Sequence, residues 1–192
     1  AAALARASYD LFMQSWRKDR IAAENYNATT GEAMDQGDTD PFYIWAGLLP
    51  LMASEETIGF DPWRGWTLTN DGQAVSAGPV LSPLGPVRVE VADGVLSLID
   101  GERTVLTTDF HGRLTDVAFE RGRFSCVLDG SPADGAFLAL HHIGPSDVVA
   151  ARLDDRTPAA LPAGDGARFD LTGAVAGARL SIWHLPAPET VA

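Results

Sequence analysis

The feature that most constrains the fold is a change in the hydrophobic period along the chain. Apolar residues recur at spacings of three and four from Leu4 to Met52, whereas from Gly78 onward they alternate with polar residues. The first pattern is typical of amphipathic helices and the second of half-buried strands. The sequence therefore predicts helices followed by an all-β region.

The β region contains short alternating segments separated by turn residues. Pairs such as Asp100-Gly101 and Asp129-Gly130 mark the turns. Nine strands at this spacing predict an antiparallel β-sandwich, which about 110 residues can stabilise by themselves. We expect a C-terminal β-sandwich domain over residues 78–192, after a linker over 57–77. The predicted strands are 87–91, 95–99, 104–108, 114–119, 124–128, 137–143, 148–153, 168–171 and 178–185.

The sequence of residues 1–56 predicts two helices joined by a carboxylate-rich connection. The first helix carries an apolar stripe from Leu4 to Trp16. The second is expected over residues 41–54, because Asp40 as N-cap and Pro41 at the first helical position favour a helix start. Pro50 is expected to kink it. Two helices cannot enclose so many large aromatic residues, so we expect them to need other helices as neighbours.

Charge and cysteine content exclude several classes of protein. The 192 residues have a formal net charge of −12, which disfavours nucleic acid or an anionic membrane surface as a partner. No apolar run approaches the length that a bilayer-spanning helix requires, so none is expected. Cys126 is the single cysteine and alternates with apolar residues, which predicts a buried side chain and no internal disulfide. With no visible secretory leader, we expect a cytoplasmic protein.

Glu24 is the principal candidate for chemistry. Tyr26 and Asn27 follow it with hydrogen-bonding side chains, and Tyr43 and Trp45 lie on the segment that the loop must reach. Flat aromatic faces beside carboxylates are typical of sugar sites, because the ring stacks on the aromatic face and the carboxylate handles protons and hydroxyls. The residues alone leave Glu24 as either a solvated loop glutamate or part of a sugar site, in which Tyr26, Asn27, Tyr43 and Trp45 are the candidate substrate-binding residues; Tyr43 and Trp45 could also be core residues of the helical hairpin.

Two strings in this region support a family resemblance. Residues 24–32, Glu-Asn-Tyr-Asn-Ala-Thr-Thr-Gly-Glu, precede residues 40–49, Asp-Pro-Phe-Tyr-Ile-Trp-Ala-Gly-Leu-Leu. Together they resemble the C-terminal end of the catalytic domain in glycoside hydrolase family 63 and its mannosylglycerate-hydrolase-like relatives. Trehalases of the same clan look similar. The resemblance covers about residues 5–70.

The resemblance implies an inverting α-glycosidase acting on a small saccharide or glycoside. Residues 1–56 would be the last helices of an (α/α) toroid of six helical hairpins, with the β-sandwich appended. Glu24 would be the general base that activates water. The family's general acid is an aspartate that precedes this region, so it is expected outside this chain. The remaining helices would come from the rest of the polypeptide or from another chain.

Other interpretations stay open at this level. Glu32, Asp35 and Asp38 are candidates for a second carboxylate, although loop and turn chemistry explains them as well. Trp63 and Trp66 either frame the sugar site or attach the linker to the sandwich. The alternative function is a non-catalytic carbohydrate-binding or scaffold protein that retains a degenerate glycosidase hairpin.

No cofactor and no metal site are expected. His141 and His142 are adjacent in a predicted strand, where neighbouring side chains point to opposite faces, so they should not share a metal ion. Acidic residues at 35, 38 and 40 lack the glycine and glutamate that a calcium loop requires at fixed offsets.

Overall fold

The computed structural model describes residues 2–34, 37–82 and 85–185 of the chain. It divides into two compact units, Ala1–Glu56 and Thr57–Ala192. The first unit is helical with a long irregular connection, and the second is formed by strands.

The N-terminal unit contains helix α1 (Ala2–Asp19), a 3₁₀ helix (Ile44–Gly47) and helix α2 (Leu48–Thr57). Arg17 and Lys18 lie in the last turn of α1, where cations favour the helix dipole. Arg20 then adopts a left-handed backbone conformation (φ 59°), which ends the helix. Much of the α1 stripe is solvent-exposed, including Leu4 at 74% and Trp16 at 39%.

The second helix begins later than predicted. Asp40 does not cap a helix, because its Oδ1 accepts the backbone amide of Phe42 at 2.8 Å and closes a local turn. Pro41 and Tyr43 instead hydrogen-bond through their backbones to Ala22. The α-helix starts only at Leu48, which leaves Pro50 in the first turn. Amides in the first turn have no intrahelical partner, so proline at position 50 removes no helical hydrogen bond. The expected kink at Pro50 therefore has no cause.

The predicted toroid is wrong. The described residues contain two α-helices, far too few for six helical hairpins, and the rest of the regular structure is mainly two β-sheets. The physical reason is that the helical structure stops at Thr57, while the described residues between α1 and the first 3₁₀ helix contain isolated β-bridges and no helix. The β-sandwich part of the expected architecture is present.

Thirteen strands of the described chain form the sandwich. They are β1 (Ile58–Asp61), β2 (Gly65–Asn70), β3 (Val75–Ser82), β4 (Gly85–Ala92), β5 (Val95–Asp100), β6 (Arg103–Thr108), β7 (Gly112–Glu120), β8 (Arg123–Asp129), β9 (Phe137–His141), β10 (Val148–Leu153), β11 (Ala160–Ala163), β12 (Gly166–Asp170) and β13 (Arg179–His184). A short 3₁₀ helix, Pro145–Asp147, precedes β10.

The strands form two antiparallel sheets. The six-stranded sheet has the order β1-β2-β7-β8-β13-β10, and the seven-stranded sheet has the order β11-β12-β9-β6-β5-β4-β3. Their inward-facing side chains form one apolar core. Its largest fully buried members are Phe110, Phe124, Phe169, Ile58, Leu68, Leu96, Leu98, Leu106, Leu114, Leu128, Leu138 and Leu140.

Residues 57–77, expected as a linker, hold β1, β2 and the start of β3. The side chain of Trp66 is 2% exposed in the sandwich core, and its ring centroid lies 4.8 Å from that of Phe60. Trp63, on the turn between β1 and β2, is 90% exposed. The segment is therefore part of the sandwich and not a linker.

Both edges of the seven-stranded sheet contain proline. Pro79 lies in β3 and Pro162 in β11, which are the outermost strands of that sheet. Proline has no amide hydrogen to donate, so it is tolerated at an edge where one side of the strand has no neighbour. No helix of the described chain is both long and apolar enough to cross a membrane.

Candidate functional site

The candidate site is built on two chain segments that lie side by side. Ala22 and Phe42 form a parallel bridge. The amide of Ala22 donates to the carbonyl of Pro41, and the amide of Tyr43 donates to the carbonyl of Ala22, each at 2.9 Å. The pairing brings the segment before Glu24 against the segment that leads to Trp45.

Glu24 is held at this junction by two hydrogen bonds to one residue. Its backbone amide donates to the carbonyl of Asp40 at 3.0 Å, and its side-chain Oε2 accepts the amide of Asp40, also at 3.0 Å. The residue is otherwise exposed. A carboxylate has about four lone-pair directions. The hydrogen bond from the Asp40 amide uses one of these directions and orients the Glu24 carboxylate, and water can reach the side chain.

The residues after Glu24 form a small hairpin. Tyr26 pairs with Ala33, and the amide of Asn27 donates to the carbonyl of Glu32 at 2.8 Å. The Asn27 side-chain oxygen accepts the amides of Thr29 and Thr30, both at 2.8 Å, so it shapes the turn. The hydroxyl oxygen of Tyr26 is buried and has no hydrogen-bond partner among the described residues.

The aromatic candidates differ in burial. Tyr43 is half-buried. Trp45 lies in the 3₁₀ helix with 63% of its surface exposed, so it is not a core residue of the described chain. Of the tryptophans near the predicted linker, Trp66 belongs to the sandwich core and Trp63 is solvent-exposed.

The candidates for a second carboxylate have local roles. Glu32 accepts a hydrogen bond from the hydroxyl of Thr30 at 3.4 Å, and that hydroxyl oxygen accepts the amide of Glu32 at 3.2 Å. Asp38 lies in a turn at φ 60°. Asp35 lies outside the described residues. These contacts agree with the interpretation of Glu32 and Asp38 as loop and turn residues.

The histidines at the end of β9 form a polar cluster that the alternation rule did not predict. His141 Nδ1 lies 2.8 Å from Asp165 Oδ1, and His141 Nε2 lies 3.2 Å from the hydroxyl of Thr107. His142 follows the end of the strand at φ 70°, and its Nδ1 lies 3.7 Å from Asp165 Oδ2. The left-handed backbone places both imidazoles beside one carboxylate. The hydrogen bond from His141 is the main cause that lowers the pKa of Asp165.

Metal and thiol chemistry gain no support from the described residues. Within them, no group of three or more histidine, cysteine, aspartate or glutamate side chains could hold a metal ion. Cys126 is fully buried, as predicted, and burial raises the pKa of its thiol to about 12.

The described residues define a β-sandwich protein with a separate small helical unit that carries an anchored, exposed glutamate. No protein-family model, no curated protein and no solved structure matches the chain.

Proposed function

We propose that this chain supplies the general base of an inverting α-glycosidase that hydrolyses an α-glycosidic bond in a small saccharide or glycoside. Glu24 is the base, and the general acid lies outside this chain. The observation that carries the proposal is the anchoring of the Glu24 carboxylate by the amide of Asp40.

Anchoring suits a general base because proton abstraction depends on position. Glu24 removes a proton from a water molecule as that water attacks the anomeric carbon. The new carbon–oxygen bond forms on the face opposite the leaving group, and the external acid protonates the departing oxygen. Such acid and base carboxyls are about 6.5–9.5 Å apart, which leaves room for the water. A fixed carboxylate loses less freedom when the substrate binds.

The neighbouring side chains suit a sugar substrate. Tyr26 is half-buried and its hydroxyl oxygen is inaccessible, so it would contact a sugar through the exposed part of the residue. Asn27 uses its side-chain oxygen within the turn, so its amide nitrogen is the part available to a substrate. Trp45, with its exposed indole, and Tyr43 offer aromatic surface for stacking.

The helical unit exposes apolar side chains, which supports the proposal that a partner segment supplies the general acid. Leu4 is 74% exposed, Phe42 is 69% exposed and Met52 is 57% exposed. Large apolar side chains in water favour burial against another surface. A further segment of the polypeptide, or another chain, would cover these residues and supply the missing carboxylic acid.

The test is Glu24→Gln in the complete enzyme, which means this chain together with the part that supplies the acid. Glutamine keeps an oxygen that accepts the hydrogen bond from Asp40 but cannot take a proton. We expect turnover of an α-linked disaccharide to fall by about 10²–10⁴-fold with a modest change in substrate binding. Glu32→Gln is the matched control and should turn over normally.

The stereochemistry of the product provides a second readout. NMR of the fresh wild-type reaction should show the β-anomer before mutarotation, since the mechanism inverts the α-linkage. Wild-type turnover in Glu24→Gln would overturn the assignment. Saccharide binding with no hydrolysis by the complete protein would favour the non-catalytic alternative.

A further inference from the structure

A pocket of about 560 Å³ lies on the sandwich and is lined by none of the residues assigned above. It is bordered by Ala150, Ala151, Arg152, Asp155, Thr157 and Trp183. The volume falls within the range that small-molecule sites occupy in proteins. All of these residues belong to Thr57–Ala192.

The sheet register explains why the pocket forms beside Trp183. This residue lies on β13, whose neighbours are β8 and β10, and it is paired with Arg123 on one side and Ala150 on the other. The guanidinium of Arg123 lies over the indole, 5.6 Å from the ring centroid, and supports the ring. Ala150 carries only a methyl group, so space remains on that side of the indole.

The polar border of the pocket carries charges of both signs. Arg152 donates from Nε to the carbonyl of Asp154 at 2.8 Å, and its Nη2 lies 3.7 Å from a carboxylate oxygen of Asp155. A cation and an anion therefore lie side by side at the exposed rim of the pocket. Thr157 adds a hydroxyl. One cation, one anion and one hydroxyl suit a neutral ligand with many hydroxyl groups better than a phosphate or another anion.

We propose that this pocket binds a pyranose unit of a neutral saccharide, with the sugar ring against the indole of Trp183 and its hydroxyls on Arg152, Asp155 and Thr157. A pyranose has an apolar face and a polar edge, which matches an aromatic wall with a hydrogen-bonding border. The proposal is independent of Glu24, because every residue it uses lies in the sandwich unit.

The experiment is titration of the full chain with maltotriose and, separately, cellotriose, followed by calorimetry and by the indole NMR signal of Trp183. We expect a dissociation constant in the millimolar range for at least one of them, as is usual for a ligand of about one ring in an open pocket. Trp183→Ala should weaken binding about tenfold or more. Ala150→Phe should block the pocket while leaving Trp183 in place, which covers the case in which Trp183→Ala fails to fold.

A control variant and the Trp183 signal separate this site from other tryptophans and from the catalytic proposal. Trp63→Ala removes an indole that is 90% exposed on a turn, and it should leave binding unchanged. The indole NMR signal of Trp183 reports this pocket and not the site of Glu24, so failure of the pocket proposal and failure of the catalytic proposal are distinguishable. The pocket assignment is overturned if neither trisaccharide shifts the indole signal of Trp183, or if the shift is unchanged in Ala150→Phe.

Discussion

The carboxylate of Glu24 and the backbone amide of Asp40 are joined by a 3.0 Å hydrogen bond between segments distant in sequence. Because the acceptor is at the end of a side chain and the donor is on the main chain, the length of the side chain determines whether the bond can form. This makes the position of the carboxylate testable separately from its charge.

Glu24→Asp should therefore impair the complete enzyme although it retains a carboxylate. The side chain is shorter by one methylene, so the group cannot both accept the Asp40 amide and keep its position. A displacement of about 1 Å at a reacting group can cost about 10²-fold in rate. We expect kcat to fall by about that factor with KM little changed. Steady-state kinetics with Glu32→Asp as control measure it, and equal loss in both variants would contradict the anchoring argument.

The pKa of Asp165 should depend on His141. The hydrogen bond from His141 favours the ionised carboxylate and lowers its pKa, and charge on the imidazoles adds to this. Stability from this group is then present above its unfolded-state pKa, about 3.9, and is lost as the pH falls through the lower folded-state pKa. NMR titration of the Asp165 carboxyl should give a pKa below that value, and His141→Ala should raise it. An unchanged pKa in that variant would exclude His141 as the cause.

Gly65→Ala should destabilise the sandwich strongly. Gly65 has φ +92°, and a Cβ there would collide with the backbone carbonyl of Val117 on the neighbouring strand. We expect a loss of about 3 kcal/mol in the free energy of unfolding from strain and steric overlap together. Gly101→Ala is the control, since its φ is +59° but its Cβ would meet nothing within 4 Å. It should cost about 1 kcal/mol. Urea denaturation distinguishes the two, and equal losses would contradict the collision.

Cys126 should not react with thiol reagents while the chain is folded. Its side chain is fully buried and the pKa of its thiol is about 12, so about one thiol in ten thousand is ionised at pH 8. Alkylation should follow unfolding and become fast in denaturant. A Cys126→Ser, Ser131→Cys double variant, with the thiol moved to an exposed loop, should be labelled quickly. Rapid labelling of native Cys126 would show that the core opens locally.

The two units should differ in hydrogen exchange. Helix α1 has one buried side chain among its described residues, Ser15, whereas β5 and β8 contain several. Few buried contacts give low protection against local opening. In the chain alone, amides of α1 should exchange orders of magnitude faster than those of β5 and β8. Mass spectrometry after peptide digestion measures this, and equal protection would mean that the helix needs no further partner.

Period-2 patterning predicted most of the sandwich. All nine predicted strands are present, because each has inward apolar residues that the core buries. β11 and β3 were missed since proline and glycine interrupt or border them, and both are edge strands. β2 did carry a signal, with Trp66, Leu68 and Asn70 buried in alternation. Nearby turn residues obscured it.

The helical unit was harder to predict because tertiary pairing overrides local preference there. Asp40 and Pro41 are a good helix start in isolation, but the turn that Asp40 closes and the pairing of Phe42 with Ala22 keep them out of a helix. The role proposed for Trp183 could not be predicted from the sequence for a similar reason. It depends on Ala150, which lies on an earlier strand and is placed beside Trp183 only by the sheet register.

The prolines at the edges of the seven-stranded sheet also affect self-association. A strand from a second molecule that approached β3 or β11 would meet positions without an amide hydrogen to offer. Neither β1 nor β10, the edges of the six-stranded sheet, contains proline. Strand addition is thus disfavoured at both edges of the seven-stranded sheet, and the edges of the six-stranded sheet lack this protection.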